Sequence, residues 1–346
     1  MNILEIWNHP ELFENYDFSH IDDEVQFIQN KRNEFEIFNK TIKELNNRID
    51  IDFIKDSELI EGNQIFELKD ISFDEEFEEL YETNIFNKKV KNSKIDDFFL
   101  GEYRTFLKNG RLTIYRKDPL TNNIYKFNCS IPKHLSTLKY ALDLARKENA
   151  LIEQGNKVDI STKFIENMHE KMFEDYIQIN LRLSKTRSEV IRPEGYGQFR
   201  RTIQVNGQEH KYNVAVEGTK WSATDSDDVK NEMETLIENY NNSTLHPILK
   251  AILFKVCLIK IHPFRDGNGR LSRILLNYML VRNGLPTVTI RGTHKDEYFE
   301  ALDTAIETQD FSKIIELLIN NLNQRLNQYL TLYHKLDLNN IESLSL

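Results

Sequence analysis

Apolar side chains recur every three or four residues over most of the chain, which is the period of an α-helix. Residues 22–48 carry such a stripe and predict one long amphipathic helix. A second helical segment, residues 51–61, ends at Gly62 and Asn63, residue types that commonly stop a helix. Further helical patterns, which together predict a mainly α fold, lie at about 135–153, 164–176, 227–240, 247–261, 270–283, 295–308 and 311–333.

Two segments change to a period of two, which is typical of strands. Residues 103–131 contain two alternating runs separated by a turn at Asp118-Pro119 and predict a small β-ribbon. Residues 200–205 precede Asn206-Gly207, a common hairpin turn. Residues 70–99 are acidic and then rich in lysine, which indicates a solvated linker. The patterns predict an N-terminal helical region at residues 1–82, a linker with a β-ribbon at residues 83–135, and helices from there to a C-terminal helical tail at residues 326–346.

The composition is that of a folded globular protein with unevenly placed charge. The chain has 346 residues, is 40% hydrophobic and has a formal net charge of −10. Of the 55 acidic residues, 25 lie among the first 100 positions, against 11 of the 45 basic ones. The slightly basic remainder suits an anion site, and the balance argues against nucleic acid as a partner. Because neither a signal peptide nor a membrane-spanning apolar run of about 20 residues is present, we expect a cytoplasmic protein.

The loop from residue 262 to residue 270 joins two apolar helices and has the residue types of an anion site. Gly267 and Gly269 leave backbone N–H groups accessible to a ligand. The following helix directs its unpaired N–H groups and the positive end of its dipole to the same point. Arg270 and Arg273 are three residues apart, so they share a helix face, and their guanidinium groups suit phosphate oxygens. The pattern predicts a phosphate site.

Two further residues indicate chemistry at this phosphate site. Asp266 would repel phosphate unless a cation lay between them, and Mg²⁺ that bridges two phosphates to one carboxylate meets that condition. His262 titrates near neutral pH and can take a proton from an attacking hydroxyl. No glycine is followed by lysine, as a Walker A loop requires, and no complete Rossmann fingerprint is present. These residues therefore indicate nucleotide-dependent transfer onto a hydroxyl group.

At these positions the chain resembles the Fic (Fic/Doc) family. The family signature, His-x-Phe-x-Asp/Glu-Gly-Asn-Gly-Arg-x-x-Arg, is met at all of its fixed positions between His262 and Arg273. Segments 245–248 and 297–302 are also similar to the family core, which we place at about 136–325. The resemblance implies a helical bundle with a β-hairpin flap. It also implies a nucleotidyltransferase, a protein adenylyltransferase that transfers AMP from ATP to a Tyr, Thr or Ser hydroxyl and releases pyrophosphate.

The resemblance implies a role for each signature residue. His262 would be the base that deprotonates the target hydroxyl, Asp266 would hold Mg²⁺, and Phe264 would pack inward and fix the loop. The residues that would bind the ATP phosphates are Gly267, Asn268, Gly269, Arg270 and Arg273, with both arginines at the β- and γ-phosphates. Tyr298 would either contact adenine or pack in the core.

Residues before the signature would form the flap that registers a target protein by main-chain pairing. They are Arg201, Thr202, Ile203, Gln204 and Val205. The β-ribbon at 103–131 is not expected in the minimal family core, and both a target-binding insertion and a packing element stay open for it. The expected partners are ATP and a protein with an exposed hydroxyl side chain, this chain itself included. The oligomeric state is left open.

A second family motif lies in the acidic first third. Residues 57–63, Ser-Glu-Leu-Ile-Glu-Gly-Asn, resemble the Ser/Thr-x-x-x-Glu-Gly/Asn motif of an inhibitory helix in some family members, expected here at about 51–62 and including Ser57, Gly62 and Asn63. Glu61 would end that helix, where the dipole disfavours an anion by roughly 0.3–1 kcal/mol, so a cationic partner is expected. By resemblance the partner is Arg273, and the pairing would suppress transfer.

Three alternatives stay open. Glu61 could orient a water molecule for the reverse reaction, which removes AMP from a modified protein. The chain could instead be a catalytically silent module that senses nucleotides through an interaction. A kinase-like or phosphocholine-transferring variant is less favoured because Gly267, Gly269 and Arg270 are retained.

Overall fold

The computed structural model describes residues 3–62, 65–68, 103–108, 111–117, 124–129, 133–174, 196–205, 208–211, 213–214, 216 and 219–344. Helices make up most of this part of the chain, which confirms the predicted mainly α fold. They are α1 (Ser19–Glu34), α2 (Glu36–Ile60), α3 (His134–Glu153), α4 (Thr162–Met172), α5 (Val229–Asn242), α6 (Pro247–Ile261), α7 (Asn268–Val281), α8 (Lys295–Thr308) and α9 (Ser312–Leu344). Three short 3₁₀ helices are Ile3–Asn8, Pro10–Phe13 and Gly292–His294.

The first amphipathic stretch breaks at a different place from the one predicted. The chain leaves helical geometry at Phe35 (φ −119°, ψ 107°), and α2 then continues through residues 48–51 without interruption. The segment around Glu61 is therefore the end of a 25-residue helix rather than a separate short one. Gly62 follows in the left-handed region at φ 85°, and its N–H donates to Leu59 O at 3.0 Å, so the predicted stop is confirmed.

Helix α6 is the centre of the core. Twelve of its 15 residues are buried, so neighbouring elements cover it on nearly every side. It packs against α5, α7, α8 and α9 and against the first 3₁₀ helix. Pro247 occupies its first turn, where a missing N–H costs nothing. The loop that follows α6 is therefore held at both ends by rigid, buried helices.

The predicted β-ribbon forms part of a four-stranded antiparallel sheet. Its strands are β1 (Ile65–Leu68), β2 (Tyr103–Lys108), β3 (Arg111–Lys117) and β4 (Ile124–Cys129), in the order β1-β4-β3-β2. Ile65 pairs with Phe127, Ile114 pairs with Phe127 from the other side, and Thr105 pairs with Ile114. Strand β1, which begins three residues after Gly62, was not predicted from the sequence. The end of α2 is thus joined almost directly to this sheet.

Several predicted features lie outside the described residues. They are the linker at 70–99, the turns at 118–119 and 206–207, Asn63 and the end of the helical pattern near Tyr176. Helix α9 runs past the boundary predicted at 325 and continues to Leu344. In the part of the chain that the structure describes, no helix is both long and apolar enough to cross a bilayer.

Candidate functional site

The loop between α6 and α7 is fixed from within by its own backbone and by Asn268. The Phe264 N–H donates to Asn268 Oδ1 at 2.9 Å, and Asn268 Nδ2 donates back to Phe264 O at 2.8 Å. Phe264 is fully buried, as expected, and Asn268 is 2% exposed. The Asn268 side chain therefore holds the loop closed, and what it can offer a ligand is its backbone N–H at the start of α7.

His169 of α4 also holds this loop in place. Its Nδ1 accepts from the Gly197 N–H at 2.8 Å, so the proton lies on Nε2, which donates to Asp266 O at 2.9 Å. Its ring stacks on Phe264 with centroids 3.8 Å apart. Burial lowers the pKa of His169 to about 4, so the ring is neutral near pH 7. Sequence reasoning missed this residue because its isolated position on an apolar helix face carries no motif.

His262 terminates α6 in the left-handed conformation, at φ 52° and ψ 58°. Arg200, which is 3% exposed, holds this turn: Nε donates to His262 O at 2.7 Å, and Nη2 donates to Ile261 O at 3.1 Å and to Thr224 O at 2.9 Å. Burial, reinforced by the Arg200 charge, lowers the pKa of His262 to about 4. His262 is therefore a neutral imidazole near pH 7, able to accept a proton.

Helix α7 begins between two glycines that leave space for other groups. Gly267 has a φ of 79°, and a Cβ there would lie 2.7 Å from the Phe173 ring. At Gly269 a Cβ would lie 2.6 Å from Glu61 Oε1 and 3.3 Å from Arg273 Nη1. A carboxylate oxygen thus lies directly against the first turn of α7, where unpaired N–H groups and the helix dipole favour an anion.

That carboxylate belongs to an ion pair between the end of α2 and α7. Arg273 Nη2 donates to Glu61 Oε1 at 2.6 Å, Nε donates to Ser57 Oγ at 2.8 Å, and Nη2 also donates to Ser57 O at 3.1 Å. Arg273 is 2% exposed and the Glu61 side chain 28%. Burial opposes ionisation of Glu61, but the charges of Arg273 and Arg270 outweigh it and lower its pKa. Ser57 and Glu61 therefore both contact Arg273, the residue that the resemblance implies as the partner of Glu61.

Arg270 lies between two further carboxylates. Its Nη2 donates to Asp266 Oδ1 at 2.9 Å, and its Nη1 lies 3.8 Å from Glu58 Oε2. Asp266 Oδ1 also accepts the Gly267 N–H at 2.6 Å, and the Asp266 side chain is 62% exposed. Glu58 is 1% exposed, and its Oε1 lies 2.9 Å from His134 Nδ1. Sequence reasoning missed Glu58 and His134.

The end of α2 is held in place by the segment before α8. The Gly292 N–H donates to Asp56 Oδ1 at 3.1 Å. A Cβ at Gly292 would lie 2.5 Å from Leu59 Cβ, so glycine is required for the close approach of the two segments. These contacts set the distance of Glu58 and Glu61 from α7.

Tyr298 lies in the core rather than on the site surface. It is 1% exposed, Lys255 Nζ donates to its Oη, and Nζ lies 4.4 Å from its ring centroid. Burial raises the pKa of Tyr298 to about 12. In this arrangement no ring face is open to a nucleotide. Of the two predicted roles, contact with adenine or packing in the core, the surroundings of Tyr298 match packing in the core.

The flap region forms a short hairpin of β5 (Ile203–Val205) and β6 (Gln208–His210), in which Gln204 pairs with Glu209. Arg201 is exposed, and Thr202 Oγ1 lies 3.1 Å from Ser226 Oγ. The side chains of residues 203–205 lie outside the described part. Arg200 lies shortly before this hairpin and also donates to the backbone of the His262 turn, so this one residue connects the flap to that turn.

The site offers few protein ligands, which suits a metal ion that takes most of its ligands from substrate and water. Among the described residues, no three His, Cys, Asp or Glu side chains converge on one point. Asp266 offers one exposed carboxylate next to the first turn of α7. Mg²⁺ is commonly bound by one or two carboxylates together with substrate phosphates and water, so this arrangement fits it.

Part of the chain is similar to known proteins. Residues 159–280 match the Fic/DOC family model. The chain is 39% identical over 77 residues to "Protein adenylyltransferase Fic" of Aedes aegypti, which covers 22% of this chain and 15% of that protein. It is 43% identical over 74 residues to the Drosophila melanogaster protein of the same name, covering 21% and 15%. The matched part thus spans about 15% of the length of these curated relatives.

Among solved structures, a Fic domain containing signaling protein from Bacteroides thetaiotaomicron is 16% identical, with a TM-score of 0.44, covering 90% of this chain and 91% of that one. The family match includes His262, the anion loop and most of α7. Residues 159–280 of this chain are therefore a Fic/DOC family domain.

Proposed function

We propose that this chain is a protein adenylyltransferase, which transfers AMP from ATP to a Tyr, Thr or Ser hydroxyl of a target protein. One observation carries the proposal: an anionic group already lies against Gly269 and Arg273 at the start of α7, beside a neutral histidine. The names of the curated relatives support the same activity.

The chemistry assigned to His262 is proton removal from the target. The buried Nδ1 leaves Nε2 as the nitrogen available to a substrate. As the target oxygen attacks the α-phosphorus of ATP, its proton passes to His262 and the bond from the α-phosphorus to the bridging oxygen breaks. Pyrophosphate leaves with that electron pair, and AMP stays on the target oxygen. Holding the base and the phosphates in one fixed geometry lowers the entropic cost of this step.

The phosphates are assigned to the start of α7. The N–H groups around residues 267–269 would bind the α- and β-phosphates, and Arg270 and Arg273 the β- and γ-phosphates. Asp266 would hold Mg²⁺, which neutralises phosphate charge when bound. The short β5–β6 hairpin would pair with the backbone of an extended target segment, so selection rests on main-chain contacts.

Glu61 is assigned the role of an inhibitor. Its carboxylate occupies Arg273 and the space above Gly269, so the γ-phosphate and Glu61 compete for one position. Either the ion pair is present or the phosphate is bound in the reactive geometry. Wild-type protein would then transfer AMP slowly.

A second candidate is the reverse reaction. The Glu61 side chain is 28% exposed beside the phosphate position, so it could orient water toward an AMP-modified target. Release of AMP from a pre-modified target by the wild-type chain, lost in Glu61→Gly, would favour this alternative.

The experiment compares Glu61→Gly with Glu61→Gly/His262→Ala and the exposed control Glu36→Gln, each incubated with ATP, Mg²⁺ and a bacterial lysate. We expect AMP adducts by intact mass with Glu61→Gly alone, on the chain itself or on a lysate protein. Adducts from neither Glu61 variant would refute the transferase. A phosphate adduct in their place would indicate kinase chemistry, and nucleotide binding without any adduct would indicate a silent sensing module.

A further inference from the structure

Two carboxylates of α2 face the two arginines of α7. Glu58 and Glu61 are three residues apart, as are Arg270 and Arg273, so each pair lies on one helix face. Glu61 contacts Arg273 at 2.6 Å, and Glu58 Oε2 lies 3.8 Å from Arg270 Nη1. The two glutamates lie in different surroundings, which suggests that they act differently on the phosphate site.

Glu58 is held by a buried histidine. It is 1% exposed, and His134, at the start of α3, is fully buried. Burial lowers the pKa of His134, so the ring is neutral near pH 7. Because a carboxylate can only accept, the His134 Nδ1–H donates to Glu58 Oε1, at 2.9 Å. The carboxyl group of Glu58 is therefore fixed beside Arg270.

Arg270 reaches from this buried carboxylate to the open side of the site. Its Nη1 faces Glu58 and its Nη2 contacts Asp266, whose side chain is 62% exposed. Glu61, by contrast, lies over the first turn of α7, with its oxygen 2.6 Å from the Cβ position of Gly269. Glu61 thus lies at the position assigned to a phosphate, whereas Glu58 is buried beside Nη1 of Arg270.

We propose that Glu58, held by His134, is a positioning residue that keeps Arg270 oriented toward the nucleotide phosphates. The inference rests on the proposed function and deepens it. The two glutamates then have opposite effects: Glu61 competes with ATP, and Glu58 supports ATP binding. Helix α2 is consequently part of the nucleotide site, and relief of inhibition is confined to its last turn around Glu61.

The test measures nucleotide affinity by calorimetry in the full chain, with Glu61→Gly as the reference. ATP and AMP are compared because AMP lacks the β- and γ-phosphates assigned to Arg270. Adding Glu58→Gln is expected to weaken ATP binding about fivefold or more, the order of one charge contact, and to leave AMP binding unchanged. Adding Glu58→Asp retains the charge and restores most of the ATP affinity. Glu36→Gln, at the exposed start of α2, serves as the matched control.

Two outcomes overturn the proposal. Unchanged or tighter ATP binding in the Glu58→Gln variant would mean that Glu58 does not position Arg270. An equal loss for ATP and AMP would show a general structural effect. If Glu58→Gln fails to fold by circular dichroism, His134→Leu, which removes the donor but leaves the carboxylate, must show a smaller loss specific to ATP. Intact ATP binding without AMP transfer by Glu61→Gly would refute the proposed function while leaving the role of Glu58 measurable.

Discussion

The ion pair between Glu61 and Arg273 makes a two-sided prediction for Glu61→Gln. The substitution keeps the size of the side chain but removes the charge that Arg273 contacts at 2.6 Å. Arg273 is 2% exposed, so solvent cannot replace the lost partner, although both hydrogen bonds to Ser57 persist. We expect the variant to be less stable than wild type in the absence of nucleotide and to bind ATP more tightly.

The magnitude follows from the exposure of the two partners. Removing one member of a fully buried ion pair costs about 3–5 kcal/mol, and a hydrogen bond to a charged group contributes about 1.5–3 kcal/mol. Since the Glu61 side chain is 28% exposed, we take about 2 kcal/mol. ATP must break this contact in the wild type but not in the variant. A difference of about 2 kcal/mol corresponds to roughly 30-fold tighter ATP binding.

The assay combines urea unfolding without nucleotide and calorimetric titration with ATP and Mg²⁺, with Glu36→Gln as the control for a charge lost from the exposed start of α2. A fall in stability without any gain in ATP affinity would refute the reasoning, because it would mean that carboxylate and phosphate do not compete. The pH dependence adds a check. The pKa of Glu61 is lowered by folding, so its contribution is present above about pH 4.5, the ordinary value, and is lost as pH falls through the folded-state pKa. The stability difference between wild type and Glu61→Gln is therefore expected at pH 7 and is expected to vanish in strong acid.

Three further predictions concern other contacts. Gly269→Ala places a Cβ 2.6 Å from Glu61 Oε1, so it is expected to lower the melting temperature more in the wild-type background than in the Glu61→Gly background. Equal shifts of the melting temperature in this double-mutant cycle would contradict the contact. In the Glu61→Gly background, Arg200→Gln is expected to reduce the rate of AMP transfer at least tenfold. Because the Arg200 charge helps to lower the pKa of His262, the acid limb of the pH–rate profile should also move to higher pH. A reduced rate with an unmoved acid limb would leave Arg200 only a packing role. Burial raises the pKa of Asp50 from the ordinary 3.8 to about 6, so the folded state is increasingly penalised as pH rises through this range and fully penalised above it. Asp50→Asn is therefore expected to stabilise the protein by about 3 kcal/mol at pH 8 and by much less at pH 4, as urea unfolding at both pH values would show.

The helices were largely predictable because their apolar periodicity reports the buried face, and α8 was predicted at its observed limits, 295–308. The break at Phe35 was not, because no glycine or proline marks it. Helix α2 instead runs through Ile49, Asp50 and Ile51, all three buried. Burial on neighbouring positions of a long helix depends on what packs around it, and the sequence of the helix alone does not contain that information.

The phosphate loop was predictable because its chemistry depends on residues close together in the chain. Glu58 was not, since a motif that fixes Ser57, Glu61 and the residue after Glu61 treats position 58 as variable. A signal was nevertheless present: the spacing of Glu58 and Glu61 equals that of Arg270 and Arg273. His134, His169 and Arg200 carry no such signal, because each acts on the loop only through contacts that the fold brings together.

The continuity of α2 has a consequence for how inhibition would respond to conditions. Ile42 and Ile54 of this helix are fully buried, and Glu61 follows on the same helix, so the competing carboxylate is tethered to the protein it inhibits. An intramolecular competitor acts at a fixed effective concentration, which dilution of the protein does not change. The fraction of inhibited molecules therefore depends on ATP concentration and on events at the last turn of α2, and it is the same at nanomolar as at micromolar protein.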